Sequence, residues 1–184
     1  MSDLETLEAL LLQRSLVFGD FVLASGQHSS YYIDARKTTM AALGQRLIGL
    51  LGLELIRNRG WVPIAVGGLT MGADPVAYAI ARASLDAPPV IDGFSVRKAT
   101  KEHGTKKRVE GNFTSGFAVV IAEDVMTSGG SAIQAVEAVR SEGGIVLGVL
   151  AVVDREQGGV EAVRRHGVEV ACITTISRLG VKRT

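Results

Sequence analysis

Five apolar runs rich in Val and Ile punctuate the chain, at 61–66, 90–96, 117–122, 145–153 and 168–173. Each is almost continuously hydrophobic, the pattern of a strand covered on both faces; a strand with one wet face alternates instead. Helical periodicity fills the spaces between them. Segments 4–13 and 41–59 precede the first run, 73–84 follows it, and 131–141 lies between the third and fourth, stopped by Gly143 and Gly144. This alternation predicts a βαβ order and so an α/β protein, a twisted and mainly parallel sheet with helices on both faces. Residues 97–116 fit neither period. A structureless stretch of that length between two strands is uncommon in a compact domain and is commonly an active-site lid when it occurs, so 97–116 is either a lid or an element the pattern hides. With no repeat, low-complexity segment or Pro/Ser-rich linker, residues 1–184 read as one domain with a helical N-terminal hood over 1–40.

Composition changes this picture in one respect. At 184 residues and 47% hydrophobic the chain can bury a full core, and its net charge of +1 looks featureless. That average hides a segment, 97–110, with six Lys or Arg against two Glu, a local +4 that leaves the remainder at −3. A slightly acidic remainder argues against a general nucleic-acid binder. No apolar run reaches the roughly 18–20 uncharged residues of a membrane helix, and the opening MSDLETLEAL is acidic where a signal peptide is basic, so a cytoplasmic protein without membrane contact is expected. The single cysteine, Cys172 in the run VACI, allows neither an internal disulfide nor a Cys-rich metal site, in keeping with a reducing compartment.

The chemistry concentrates where the third run ends. Glu123 and Asp124 are followed by Val125, Met126, Thr127, Ser128, Gly129, Gly130 and Ser131, and then by helical periodicity. Two glycines let backbone N–H groups converge on an anion, and the hydroxyls of Thr127, Ser128 and Ser131 add donors at the positive end of a helix, a phosphate cradle. Carboxylates beside a phosphate need a separate reason. A sugar with vicinal hydroxyls supplies it, because carboxylates accept paired O–H donors well; a ribose phosphate satisfies both halves. The plainer reading has Asp124 capping a turn and the glycines closing a tight βα connection. Neither a G-x-x-x-x-G-K-[ST] loop nor a G-x-G-x-x-G turn is present.

The acid pair and its T-S-G-G-S turn resemble the phosphoribosyl-pyrophosphate motif of type I phosphoribosyltransferases. That resemblance implies a five-stranded, mainly parallel core sheet flanked by helices, a small hood and a flexible basic loop. The segment Arg97-Lys98-Ala99-Thr100-Lys101-Glu102-His103-Gly104 resembles the R-K-x-x-K-x-H-G loop of orotate phosphoribosyltransferases. A closing loop rich in Arg, Lys and His suits a leaving diphosphate, whose concentrated charge must be neutralised as the bond breaks; taken alone, the same run reads as a solvated or RNA-contacting patch. Two more places fit the same family: 21–34, with its F-x-L-x-S-G and S-S-Y-Y-I-D, and Val153-Asp154-Arg155.

The family resemblance implies transfer of ribose 5-phosphate from 5-phospho-α-D-ribose 1-diphosphate (PRPP) to orotate, giving orotidine 5′-phosphate and diphosphate in de novo UMP synthesis. PRPP would be bound by Arg97, Lys98, Lys101 and His103 and by 123–131, with Lys101, His103 and Asp124 catalytic. Orotate would be placed by Tyr32, Ile33, Thr127 and Arg155, the last receiving its carboxylate on a planar fork. Mg²⁺ is the implied cofactor, held through PRPP with no direct protein ligand, and a homodimer with shared active sites is the implied assembly. For Arg155 the plainer alternative is a strand-end Asp–Arg pair, and for Tyr31 and Tyr32 ordinary hood core. Two departures from the family stand out: Ala24 and Met71 occupy positions where many members carry Lys, which leaves backbone at Thr70 and Met71 to face the diphosphate. A transferase for another base and a non-catalytic PRPP sensor are the rival readings.

Overall fold

A computed structural model of the chain describes residues 1–22, 28–99 and 107–181. Helix α1 (Asp3–Arg14) starts where Ser2 and Glu5 form a capping box: Glu5 N–H donates to Ser2 Oγ, and Ser2 N–H to Glu5 Oε2. It turns Leu7, Leu10 and Leu11 inward. Strands β1 (Leu16–Val22) and β2 (His28–Ile33) then form an antiparallel hairpin, with β2 burying Ser29, Tyr31 and Ile33 at alternate positions. Helices α2 (Arg36–Thr39) and α3 (Ala42–Asn58) lead to the main sheet. The hood region is thus half β, where the pattern suggested helix alone. Gly19 and Asp20 interrupt the alternation of β1, at the place where its pairing register shifts.

The main sheet and its helices follow as β3 (Ala65–Leu69), α4 (Ala73–Asp86), β4 (Asp92–Val96), β5 (Val109–Gly111), β6 (Ala118–Met126), α5 (Gly130–Ser141), β7 (Ile145–Asp154), α6 (Gly159–Arg165) and β8 (Val170–Thr175). Spatial order is β5-β4-β3-β6-β7-β8, with β5 antiparallel to β4 and the other five strands mutually parallel. The mainly parallel sheet expected from the apolar runs, and the five-stranded core that the resemblance implies, are present, extended by one antiparallel edge strand. Three residues are too few to show a period, so β5 was hidden inside 97–116. Its position is set by pairing with Val96 and by the Glu142 carboxylate, which accepts from the N–H groups of Arg108 and Val109.

Other boundaries move for identifiable reasons. The first apolar run becomes a strand only at Ala65, since Pro63 has no N–H for a ladder and Trp61 packs instead over Gly148, where a Cβ would meet its ring. Strand β6 continues through the two carboxylates to Met126, so Glu123 and Asp124 lie within the sheet rather than beyond it. Along β6, Val119 and Ile121 join one core with Phe94, Val136 and Val163, while Val120 and Ala122 join the other with Leu47, Ile80 and Leu150. Both faces are covered, which is why the runs do not alternate. No helix among the described residues is long and apolar enough to cross a membrane.

The chain runs from β3 outward to β4 and β5, then returns to β6 on the opposite side of β3. At the carboxyl ends of β3 and β6 the connections therefore depart in opposite directions. Such a switch point opens a crevice in an α/β sheet.

Candidate active site

A cleft of about 380 Å³ occupies that crevice. The hood supplies residues 32–36; the loop after β3 supplies Leu69, Thr70, Met71 and Gly72; β6 and its turn supply Glu123, Asp124, Val125, Thr127 and Ser131; Lys98 and Arg155 complete the lining. A second cleft of about 440 Å³ lies between α3 and α4, away from the carboxyl ends of the strands, and its acid, Asp86, is already paired with Arg82 at 2.7 Å.

The turn after β6 has the backbone geometry that its two glycines call for. Gly129 has φ 83°, and a Cβ there would lie 2.8 Å from the carbonyl oxygen of Gly159, so glycine alone fits. No side chain caps α5, which leaves its first N–H groups for a ligand. Glu123 is buried, and that burial, reinforced by the adjacent Asp124 charge, pushes its carboxyl well above the usual range. Asp124 accepts from the N–H of Val125 at 2.8 Å. Gly72 stands against it, and a Cβ at 72 would come within 2.9 Å of Asp124 Oδ1. The loop carrying Gly72 is tied down by Asp74, which accepts from Thr70 Oγ1 at 2.6 Å and from Ser95 Oγ at 2.7 Å.

Arg155 is the most distinctive group. It follows β7 and is 6% exposed. Its N–H donates to the Met126 carbonyl, its Nε donates to the Tyr31 hydroxyl at 3.3 Å, and its guanidinium carbon lies 4.8 Å from the Tyr31 ring centroid. Its Nη2 is buried with no hydrogen-bond partner among the described residues. A buried guanidinium with an idle N–H is costly unless an anion completes it, and it lines the cleft. Asp154 Oδ1 accepts from the N–H of Glu156, and among the described residues no ion pair joins Asp154 to Arg155.

No protein-family model matches the chain. It is 44% identical to the orotate phosphoribosyltransferase of Rhodopirellula baltica over 184 residues, covering 98% of this chain and 95% of that protein. The chain belongs to the orotate phosphoribosyltransferase family. Solved structures agree: the Mycobacterium tuberculosis H37Rv orotate phosphoribosyltransferase in complex with PRPP superposes with a TM-score of 0.84 at 38% identity, covering 98% of this chain and all of that one. The same enzyme with Fe(III) dicitrate gives 0.87 at 40% identity over 98% of this chain. The fold is therefore the type I phosphoribosyltransferase fold.

Of the residues singled out from the sequence, the cleft brings together Tyr32, Ile33, Lys98, Glu123, Asp124, Val125, Thr127, Ser131 and Arg155. Tyr32 is 43% exposed, whereas Tyr31 is hood core at 1% and serves as the platform under Arg155. Met126 is buried in the core beneath the turn, where its carbonyl accepts from Arg155. Ser128, Gly129 and Gly130 form the turn without lining the cleft, and Arg97 pairs with Glu110 at 3.6 Å. Lys101, His103 and Ala24 lie outside the described residues. Sequence reasoning gave no role to Asp34, Arg36 or the Asp74 anchor, although the acid that ends the hood motif and a base two residues on were a signal. Cys172 has no place in the site, and burial pushes its thiol up to about 12.

Proposed function

We propose that the chain catalyses attack of the orotate ring nitrogen on the anomeric carbon of PRPP, breaking the bond to diphosphate and releasing orotidine 5′-phosphate. The observation that carries this reading is the buried, unpaired Nη2 of Arg155 in the wall of the cleft. A neutral base has no use for it. A carboxylate completes the fork, and an arginine held on a tyrosine ring fixes the plane in which that carboxylate sits.

The remaining groups divide the substrates between them. The turn Thr127–Ser131 and the N-terminus of α5 receive the 5-phosphate, and Glu123 and Asp124 accept the ribose hydroxyls. Backbone at Tyr32 and Ile33, with Thr127, holds the base edge, so that nitrogen and anomeric carbon approach within reacting distance. Lys98, with Arg97, Lys101 and His103 of the basic segment, faces the diphosphate, and closure over it of the part of 97–116 that precedes β5 excludes water. The cleft carboxylates Asp34, Glu123 and Asp124 offer oxygen donors only. That donor set suits Mg²⁺ held mainly through the diphosphate and the diol gripped by Glu123 and Asp124. When bound, the ion lowers the charge on the leaving group. A cytoplasmic homodimer with shared sites, acting in UMP synthesis, completes the proposal.

The test is a spectrophotometric assay with PRPP and Mg²⁺ in which orotate is exchanged for uracil, adenine or hypoxanthine. Orotate alone is consumed, and Arg155→Ala raises the orotate KM by about tenfold or more, the worth of a charge-assisted pair. Failure to consume orotate, or equal use of uracil, overturns the reading.

A further inference from the structure

We infer that Arg36 binds the diphosphate of PRPP from the hood side of the cleft; the inference rests on the reaction proposed above. Three anionic groups must enter this cleft: the turn before α5 receives the 5-phosphate, Arg155 the carboxylate, and the basic segment meets the diphosphate from the sheet side. The diphosphate carries the most charge. Among the described lining residues, the cations assigned to neither of the other two anions are Lys98, from the sheet side, and Arg36, from the hood. The loop between them, 69–72, carries no charged side chain.

Arg36 is arranged as a held receptor rather than a wandering surface cation. It opens α2, and its Nε donates to Asp34 Oδ1 at 2.7 Å, while its side chain remains 47% exposed. The terminal Nη1 and Nη2 groups make no hydrogen bond among the described residues, so a bidentate face is left for phosphoryl oxygens. Asp34 is itself fixed, its N–H donating to the Ser15 carbonyl. Arg36 and Asp124, the acid assigned to the ribose, line the same cleft, and the guanidinium is within electrostatic reach of that carboxylate. Asp34 has a second consequence: unmasked, its carboxylate would repel the diphosphate, so the pair has to be dissected together.

The experiment measures binding of PRPP and of Mg²⁺–diphosphate by calorimetry alongside steady-state kinetics, in Arg36→Gln, Arg36→Lys and the double variant Asp34→Asn/Arg36→Gln. Arg36→Gln is expected to weaken PRPP and diphosphate by about tenfold or more while moving the orotate KM less than about twofold. Arg36→Lys, which keeps the charge and loses the fork, falls between, and reads the same affinities if the neutral variant does not fold. The double variant stays weak. Unchanged PRPP and diphosphate affinity overturns the inference, as does an effect confined to orotate or recovery in the double variant, which would make Arg36 a mere mask for Asp34. Wild-type protein that binds PRPP without consuming orotate would sink the reaction while leaving calorimetry to judge Arg36.

Discussion

Arg155 and Glu123 show how burial turns ordinary side chains into specific ones. Both were visible in the sequence as types at the end of an apolar run, yet neither its idle Nη2 nor the suppressed ionisation of Glu123 could be read there, because each depends on what the other elements exclude from water. Glu123 makes a prediction about pH. Its folded carboxyl is raised by burial first and by Asp124 second, so the folded state holds a proton more tightly than the unfolded chain does. The stability this contributes is fully present below the ordinary carboxyl pKa of about 4.3 and is lost as pH rises through the folded value. Urea titrations of wild type and Glu123→Gln should therefore diverge as pH rises above the ordinary carboxyl pKa, with the variant gaining about 1.4 kcal/mol for each tenfold preference of the folded state for the protonated acid. Parallel curves across that range would mean that Glu123 ionises freely.

At the scale of elements, β6, its turn and α5 form the unit most fully legible beforehand. A hydrophobic run, two acids, a glycine turn and a helix period are local signals, and the strand and helix observed follow them closely. The pieces that escaped are short or irregular: β5, three residues long and held by Glu142 from α5's far end, the β1–β2 hairpin, interrupted at Gly19 and Asp20, and the short helices α2 and α6. The turn can be tested with adjacent glycines. Gly129→Ala forces an L-residue into φ 83° and against the Gly159 carbonyl, and should cost about 1–2 kcal/mol in thermal or chemical unfolding. Gly130→Ala meets nothing closer than Ser128 Oγ at 3.7 Å. It should leave the melting temperature close to wild type, and comparison of the two separates a folding requirement from a ligand requirement. Equal stability of the two variants would contradict the backbone argument.

At the scale of the whole molecule, the cleft exists because β6 lies on the opposite side of β3 from β4. The switch point gathers residues that are more than a hundred positions apart, Tyr32 from the hood with Arg155 from the end of β7, onto one opening. The proposed shared-site homodimer also belongs to this scale. Lys101→Ala and Asp124→Ala chains, each inactive alone, should regain activity when mixed and reassociated, since random pairing under two-fold symmetry restores about a quarter of the sites. No recovery would confine each site to one chain.

By itself the sequence determined the alternation of the five parallel strands with α3, α4 and α5 and the glycine turn that follows β6, because hydrophobic period, glycine and helix-start signals act over a few neighbouring residues. It also marked the acids and the basic segment as chemistry. The order of strands in space, the antiparallel edge, the platform of Tyr31 under Arg155 and the pairing of Asp34 with Arg36 inside the cleft were decided only by the tertiary structure. Those features depend on long-range packing and on exclusion of water, and no local run of residues encodes which distant surface will cover it.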